Sequence, residues 1–336
     1  LWQVIGGAGK GGIVVRAGED VASSLEPERL ATGAEVKELE LRNDRLHYER
    51  FSGTGPATGW VSIVLKDGKP LMARRCEPPA RDPSAVSPKR RLPPVAGRKM
   101  RVLALHGCPG NSAIMKFMCT QLKSMAGSDV EWVFLDGPCK WAAVPGSTRP
   151  NAMEPSDFAK RIAGKKPFVA WYSHPGEGDP SADKPPKMRK DTGDYVGLTT
   201  YGDVEAGIEY LDEALGREGP VDVLVAFSQS ATLAAILIGA LQRQGREVPW
   251  RLSVFFCGAE VDDVDYQLDE MSDQPTIYVH GGAADDWAAI GQKCLPMMYT
   301  DLLMLEHADG HVLPTTQPAA GEIYARVVGE MRGICG

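Results

Sequence analysis

Val221-Asp222-Val223-Leu224-Val225-Ala226-Phe227-Ser228-Gln229-Ser230 runs directly into ATLAAILIGAL at 231–241. The first seven residues are mostly apolar, as in a strand buried on both faces, and 231–241 suits a buried helix. A serine lodged at a strand-to-helix turn, with small residues two before it (Ala226) and two after it (Ser230), has the local context of a nucleophile elbow. Small residues are needed there because the strand and helix backbones nearly touch. Ser228 is therefore the candidate nucleophile. The bland alternative is a serine whose hydroxyl caps the helix.

Working outward, strands are expected at Met100–His106, Glu131–Leu135, Phe168–Tyr172, Val221–Phe227, Arg251–Phe256, Thr276–His280 and Leu302–Glu306. Helical faces fall between them at Ile114/Met118/Leu122, at Val204/Ile208/Leu211/Leu215, in Ala231–Gln242 and in Glu322–Met331. This alternation predicts an α/β domain over 100–336, with a mostly parallel sheet covered by helices on both faces. A stretch around 143–199, rich in Pro, Lys, Asp and Gly, reads as a lid-like excursion over the sheet edge. Upstream, short alternating runs at Gly12–Arg16, Glu35–Leu41, Leu46–Phe51 and Gly59–Leu65 predict a small all-β unit over 1–75. Residues 76–99 hold six prolines and a surplus of basic residues, and read as a linker.

A serine nucleophile needs a base, and the base needs a carboxylate, in the chain order Ser, acid, His for this fold. His311, in a Gly-containing loop after the last strand, is the candidate base, and His307 reads as a strand-end residue. In the loop after Thr276–His280, Asp285 is the preferred acid and Asp286 the alternative. The turn His106-Gly107-Cys108-Pro109-Gly110 follows another strand, so the backbone N–H groups of Cys108 and Gln229 form the natural oxyanion pair. Cys108 as a nucleophile is the weaker reading, since no Lys or Arg flanks it. His307 and His311 are four apart, but Asp309-Gly310 and Pro314 argue for a loop rather than a helical metal pair, and no metal site is expected. Gly6–Gly11 fails as a phosphate loop, because Gly11 stands where Ser or Thr should hold a metal and Val4 occupies the first Gly position.

The chain of 336 residues carries a net charge of -7, which is not the footprint of a nucleic-acid binder. No apolar run approaches the ~18 residues of a membrane span, so a transmembrane protein is not expected. Seven cysteines without regular spacing read as free thiols, favouring a reducing compartment such as cytoplasm or organelle stroma over secretion. The chain opens at Leu1 rather than Met, and a targeting peptide removed upstream would leave no trace.

Several stretches together resemble the FSH family of serine hydrolases, the α/β-hydrolases that include the ovarian-cancer-associated esterases. They are LALHGCPGNSAIM at 103–115, FLDGPC at 134–139, AWY at 170–172, the helix-strand-elbow run at 202–237, VHGGAADDW at 279–287 and HADGHVLP at 307–314. The resemblance covers essentially all of 100–336 and implies Ser228, Asp285 and His311 as nucleophile, acid and base. It departs at the elbow, where the family's two glycines are replaced by Ala226 and Ser230. Residues 10–75 resemble bacterial-type SH3 barrels through GIVVRAG at 12–18 and GWVS at 59–62, with Tyr48 and Trp60 as groove or core aromatics. The expected function is hydrolysis of a small-molecule acyl ester or thioester through an acyl-enzyme, without a cofactor. The alternative is a non-catalytic scaffold acting through a peptide or protein ligand of the SH3-like unit.

Overall fold

In the computed structural model, residues 2–65, 69–74, 97–143, 154–173, 187–188, 195–196, 202–261, 263–285 and 288–335 are described. The chain divides into two compact units, Leu1–Arg81 with Pro185–Leu198, and Asp82–Lys184 with Thr199–Gly336. The expected linker at 76–99 lies outside the described residues except for 97–99, and so does much of the 143–199 excursion.

The first unit is built on alternation. Strands β1 (Trp2–Val4), β2 (Ile13–Arg16), β3 (Leu25–Leu30), β4 (Glu35–Arg42), β5 (Arg45–Ser52), β6 (Thr58–Ser62) and β7 (Met72–Arg74) form one antiparallel sheet, in the order β3-β2-β6-β5-β4-β1-β7. One residue in two points inward along β2 and β5, so Ile13, Val15, Leu46 and Tyr48 join Trp2, Val4, Leu30, Val36, Val61 and Met72 in a core. The turn from β4 to β5 is Asn43-Asp44, with Asn43 at φ 49, a backbone that suits the tight hairpin turn. Strands β1 and β7, of three residues each, are too short to show a period, and β3 carries Pro27 with three charges; alternation therefore did not reveal them. Among the described residues the sheet runs from β3 to β7 as an antiparallel half-barrel, in keeping with the small all-β barrel-like unit expected. Tyr48 and Trp60 are both buried, Tyr48 donating to Pro56 O at 3.2 Å and Trp60 stacking on His47 at 4.9 Å. Tyr48 belongs to the core, whereas Trp60 alternates with core residue Val61 along β6 and packs on His47 on the other face of the sheet.

In the second unit, β8 (Met100–Leu105) and β9 (Val130–Leu135) precede a short ladder of β10 (Cys139–Lys140) with β11 (Val169–Ala170). The pair β12 (Lys187–Met188) and β13 (Tyr195–Val196) groups with the first unit, and β14 (Val223–Phe227), β15 (Leu252–Phe256), β16 (Thr276–His280) and β17 (Leu302–Glu306) follow. Six strands form a parallel sheet in the order β17-β16-β15-β14-β8-β9. The chain moves outward from β8 to β9 and then winds the opposite way from β14 to β17. The switch point therefore lies between the carboxyl ends of β8 and β14, where open α/β sheets bind their ligands.

Helices α1 (Ser112–Met118), α2 (Thr120–Ala126), α3 (Asp157–Ala163), α4 (Val204–Glu218), α5 (Gln229–Arg243), α6 (Ala288–Met298) and α7 (Ala319–Cys335) complete the unit. Alternate strand residues feed two cores. Leu103, Leu105, Leu224, Ala226, Phe255 and Tyr278 meet α4, α5 and α6 on one face. Val102, Ala104, Val223, Val225, Val254 and Val279 meet α1, α2 and α7 on the other. Twelve of the fifteen residues of α5 are buried, so its apolar circumference reflects enclosure rather than a stripe.

Three expectations need correction. Phe168–Tyr172 supplies only the two residues of β11, which pair with β10 outside the main sheet. The face Ile114/Met118/Leu122 is divided between α1 and α2, because the chain breaks at Cys119. The helices α3 and α6 were not expected, and α6 holds Pro296 in its interior.

At the opposite end of the sheet, buried Asp222 ties β8 to β14. Its carboxylate accepts from Arg98 Nη1 (2.6 Å), Arg98 Nη2 (2.8 Å) and Arg101 N (2.8 Å), and pairs with Arg251 Nε at 3.3 Å. Removing one member of a buried ion group strands the others without a partner. Asp222→Ala is expected to lower unfolding free energy in urea by about 3–5 kcal/mol. Arg246→Ala, which breaks the exposed pair with Asp212, should leave the urea midpoint nearly unchanged in the same assay.

Candidate active site

Strand β14 ends at Phe227 and helix α5 starts at Gln229, so Ser228 alone must turn the chain. It does so at φ 54, ψ -123, a conformation that costs an L-residue about 1–3 kcal/mol. The turn is held by Ser228 N–H donating to Phe256 O (2.9 Å) and by Ala231 N–H donating to Ser228 O (2.9 Å). Gly258 presses on it so closely that a Cβ there would lie 2.4 Å from Ser228 O. The neighbours of Gly258 share the strain, with Cys257 at φ 48 and Ala259 at φ 90. Ser228 makes no side-chain capping bond to α5, which removes the bland reading of this serine.

The two departures from the family elbow are accommodated without opening it. Ala226 is fully buried in the strand. Ser230 Oγ accepts from Phe227 N (3.0 Å) and lies 3.0 Å from Leu105 O and 2.9 Å from Phe227 O, so its hydroxyl ties the ends of β8 and β14 together.

Ser228, His311 and Asp285 are brought together. His311 Nε2 is 2.9 Å from Ser228 Oγ, and His311 Nδ1 is 2.9 Å from Asp285 Oδ1. The Asp285 side chain is completely buried while that of His311 is 34% exposed, so the pair is anchored on the protein side and open toward the serine. Asp285 follows the short 3-10 turn Gly282–Ala284 after β16, and His311 sits in a tight turn closed by Val312 N–H donating to Gly310 O at 2.8 Å. That loop is pinned by Asp309, which accepts from Thr315 N and Thr316 N; these bonds hold its carboxyl down at about 2. The alternative acid, Asp286, lies outside the described residues.

His307 is not part of this group. Its ring is buried, and Asp309 N–H donates to its Nδ1 at 3.2 Å, so it shares no ligand geometry with His311. Cys257 was not singled out in the sequence but does belong here. Its buried thiol, a carboxylate oxygen of Asp285 and a ring nitrogen of His311 lie within 4.8 Å of one another.

On the other side of Ser228 is the loop after β8. A Cβ on Gly107 would lie 3.2 Å from Ser228 Cβ, which places the His106–Cys108 turn against the elbow. The Gln229 N–H heads α5, where the first turn leaves its amides without helical acceptors. Burial pushes the Cys108 thiol up to about 12, which disfavours the thiolate a competing nucleophile would need.

The turn is braced by side chains whose roles were not legible beforehand. Gly137 N–H donates to His106 Nε2 (2.9 Å), so the ring hydrogen is on Nδ1 and reaches Gly107 O at 2.7 Å. Trp171 Nε1–H donates to His106 O at 2.6 Å. Gln229 Oε1 accepts from Trp171 N (2.9 Å), and its Nε2 donates to Tyr172 O (2.9 Å). The Gln beside the elbow serine and the AWY motif were both visible as residues, yet their pairing arises only from the tertiary fold.

Two tests follow from this bracing. Burial pushes His106 down to about 4, so between pH about 6.5 and 4 the unfolded chain takes up a proton that the native chain refuses. Unfolding free energy should therefore fall by roughly 3 kcal/mol from this group as pH drops through that window, with no contribution above it. Buried His280 and His307, also lowered, act in the same direction. Urea unfolding across pH 7 to 4 in wild type and in His106→Asn, whose slope should be shallower, checks this. Separately, Ser230→Gly loses the hydroxyl tie and should cost about 1–2 kcal/mol while leaving the acylation rate within roughly tenfold.

Residues 96–323 match the family model described as serine hydrolase (FSH1). Rhodanese-like domain-containing protein 6 of Arabidopsis thaliana is 26% identical over 242 residues, which is 68% of this chain but only 39% of that protein. Esterase CG5412 of Drosophila melanogaster is 23% identical over 239 residues, covering 69% of this chain and 75% of the fly protein. Among solved structures, acyl-protein thioesterase 2 of Zea mays superposes with a TM-score of 0.42 at 15% identity, over 71% of this chain and 97% of that one. The family match spans both sides of the elbow and the loops that carry Asp285 and His311, and this chain belongs to the serine hydrolase (FSH1) family.

Proposed function

We propose that this serine hydrolase cleaves a small-molecule carboxylic ester or thioester through an acyl-enzyme, with Ser228 as nucleophile, His311 as base and Asp285 as the carboxylate that orients it. One observation carries the assignment: a single imidazole bridges Ser228 Oγ and buried Asp285 Oδ1, at 2.9 Å on each side. With the carboxylate accepting the Nδ1 hydrogen, Nε2 keeps its lone pair and accepts the Ser228 proton as Oγ bonds to the acyl carbon. The oxyanion gathers the N–H groups of Cys108 and Gln229, held in place by His106 and by the Gln229 clamp on Trp171 and Tyr172. His311 then returns the proton to the departing alkoxide or thiolate, and water repeats the sequence to free the acid. The strained backbone at Ser228 keeps Oγ pointing at the imidazole instead of folding back onto α5. The altered elbow, the main support for a non-catalytic scaffold, fits without displacing any of these groups.

A fluorophosphonate probe should label wild type and leave Ser228→Ala unlabelled. Ser228→Ala and His311→Ala should each lose about 10⁴-fold or more in kcat/KM on acyl esters, with little further loss in the double variant. His307→Ala should stay within about tenfold. Labelling that persists in Ser228→Ala, or equal losses from the two histidines, would sink the assignment.

A further inference from the structure

Cys257 follows directly on β15 beside the His311–Asp285 pair, and acyl transfer as described above makes no use of it. Its thiol is buried, with Sγ 3.4 Å from Val312 O and 3.7 Å from Gly310 O, the carbonyls on either side of His311. Its own N–H is fixed to Val279 O at 2.8 Å. Thiolate, carboxylate and imidazole are the three donor types that zinc takes, and a site with three protein ligands leaves the fourth tetrahedral position to water. Bonds of about 2.0–2.3 Å place such ligand atoms roughly 3.3–3.5 Å apart. The three side chains already hold donor atoms within 4.8 Å of one another, so an ion needs adjustments on the order of an ångström.

The surroundings are polar as well. The Tyr278 hydroxyl, fully buried, makes no hydrogen bond among the described residues and feels the charges of Glu260 and Asp285. Burial first, and then the negative charge of Asp285, push the Cys257 thiol up. A divalent cation inverts that situation, because one thiolate and one carboxylate then balance its two charges in a site of low dielectric.

We propose that Cys257, Asp285 and His311 form an inhibitory site for a thiophilic divalent cation, with Zn²⁺ the natural fit, that switches the hydrolase off reversibly. The proposal rests on the reading of His311 as the catalytic base. As the metal–sulfur bond forms, the Cys257 proton leaves to solvent. The His311 hydrogen moves from Nδ1 to Nε2 as Nδ1 takes the metal, and no electron changes hands. An imidazole with metal on Nδ1 and hydrogen on Nε2 has no lone pair to offer Ser228, so acylation stops. Removal of the metal restores the Nδ1–H tautomer and the activity.

The test uses the full chain, reduced and stripped of metal, in chelator-buffered Zn²⁺ with ester hydrolysis as one readout. The second readout is independent of activity: Co²⁺ in place of Zn²⁺ should give a thiolate-to-cobalt charge-transfer absorption in the near ultraviolet. We expect saturation at one ion per chain and recovery of activity with excess chelator. In Cys257→Ser the half-inhibitory Zn²⁺, referred to that variant's own activity, should rise at least about tenfold, and the cobalt band should disappear. Cys257→Ala serves if the serine variant folds poorly, and the band in wild type needs no substitution. No inhibition by about 0.1 mM free Zn²⁺ would overturn the switch, as would a cobalt band that survives in Cys257→Ser or vanishes instead in Cys108→Ser. A chain that hydrolyses no ester yet shows the Cys257-dependent band would instead fault the proposed activity and leave the metal site standing.

Discussion

A single residue turns the chain from β14 to α5, and the rest of the site is arranged around the backbone strain of that turn. Ser228 at φ 54 persists only because its surroundings leave it no alternative. Phe256 O takes its N–H, Gly258 blocks its carbonyl from moving, and Ser230 ties Phe227 to the end of β8. The strain of about 1–3 kcal/mol is small beside the burial of the two sheet faces, and it delivers a hydroxyl that cannot relax into a helix cap. The position is also set by topology, since the elbow stands where the strand order reverses and no crossover connection blocks the sheet edge.

The buried polar groups around the elbow divide the work. Asp285 and His311 face the serine, while His106, Gln229 and the Trp171–Tyr172 backbone lock the loop that carries the Cys108 amide. His106 and Gln229 each hold fixed partners at both polar ends of the side chain, so the loop is braced before any molecule binds. A neutral His106 suits this task, because a charged ring would lose its acceptor for Gly137 N–H.

What was legible beforehand follows the range of the interactions involved. The central strands β8, β14, β15 and β16 could be read because burial on both faces makes them continuous apolar runs bounded by polar residues. Ser228 could be read because strand, turn and helix are contiguous in the chain. His311 and Asp285 followed from chain order and loop position, 83 and 57 residues away from the serine. Asp222, Cys257 and the Gln229 side chain could not be read, since each acquires its role from residues brought together by the sheet, such as Arg98 meeting Asp222 across 124 positions. Strand β11 misled for a related reason. Phe168–Tyr172 is apolar because Ala170, Trp171 and Tyr172 are buried against the elbow, not because they add a strand to the sheet.

The α7 helix has a bearing on how the protein is made. Its residues Ile323, Tyr324, Val327, Val328 and Met331 cover the same sheet face as α1 and α2, and Arg332 reaches back to donate to Ala126 O at 3.1 Å. During synthesis that face is covered only by α1 and α2 until residues 319–335 have left the ribosome, although β8 on the same sheet was made more than two hundred positions earlier. Parallel pairing over such separations is slow and leaves apolar surface in contact with the cell for the whole interval. The nascent chain is thus most exposed to misassociation after Ser228 has been made and before α7 can shield the sheet behind it.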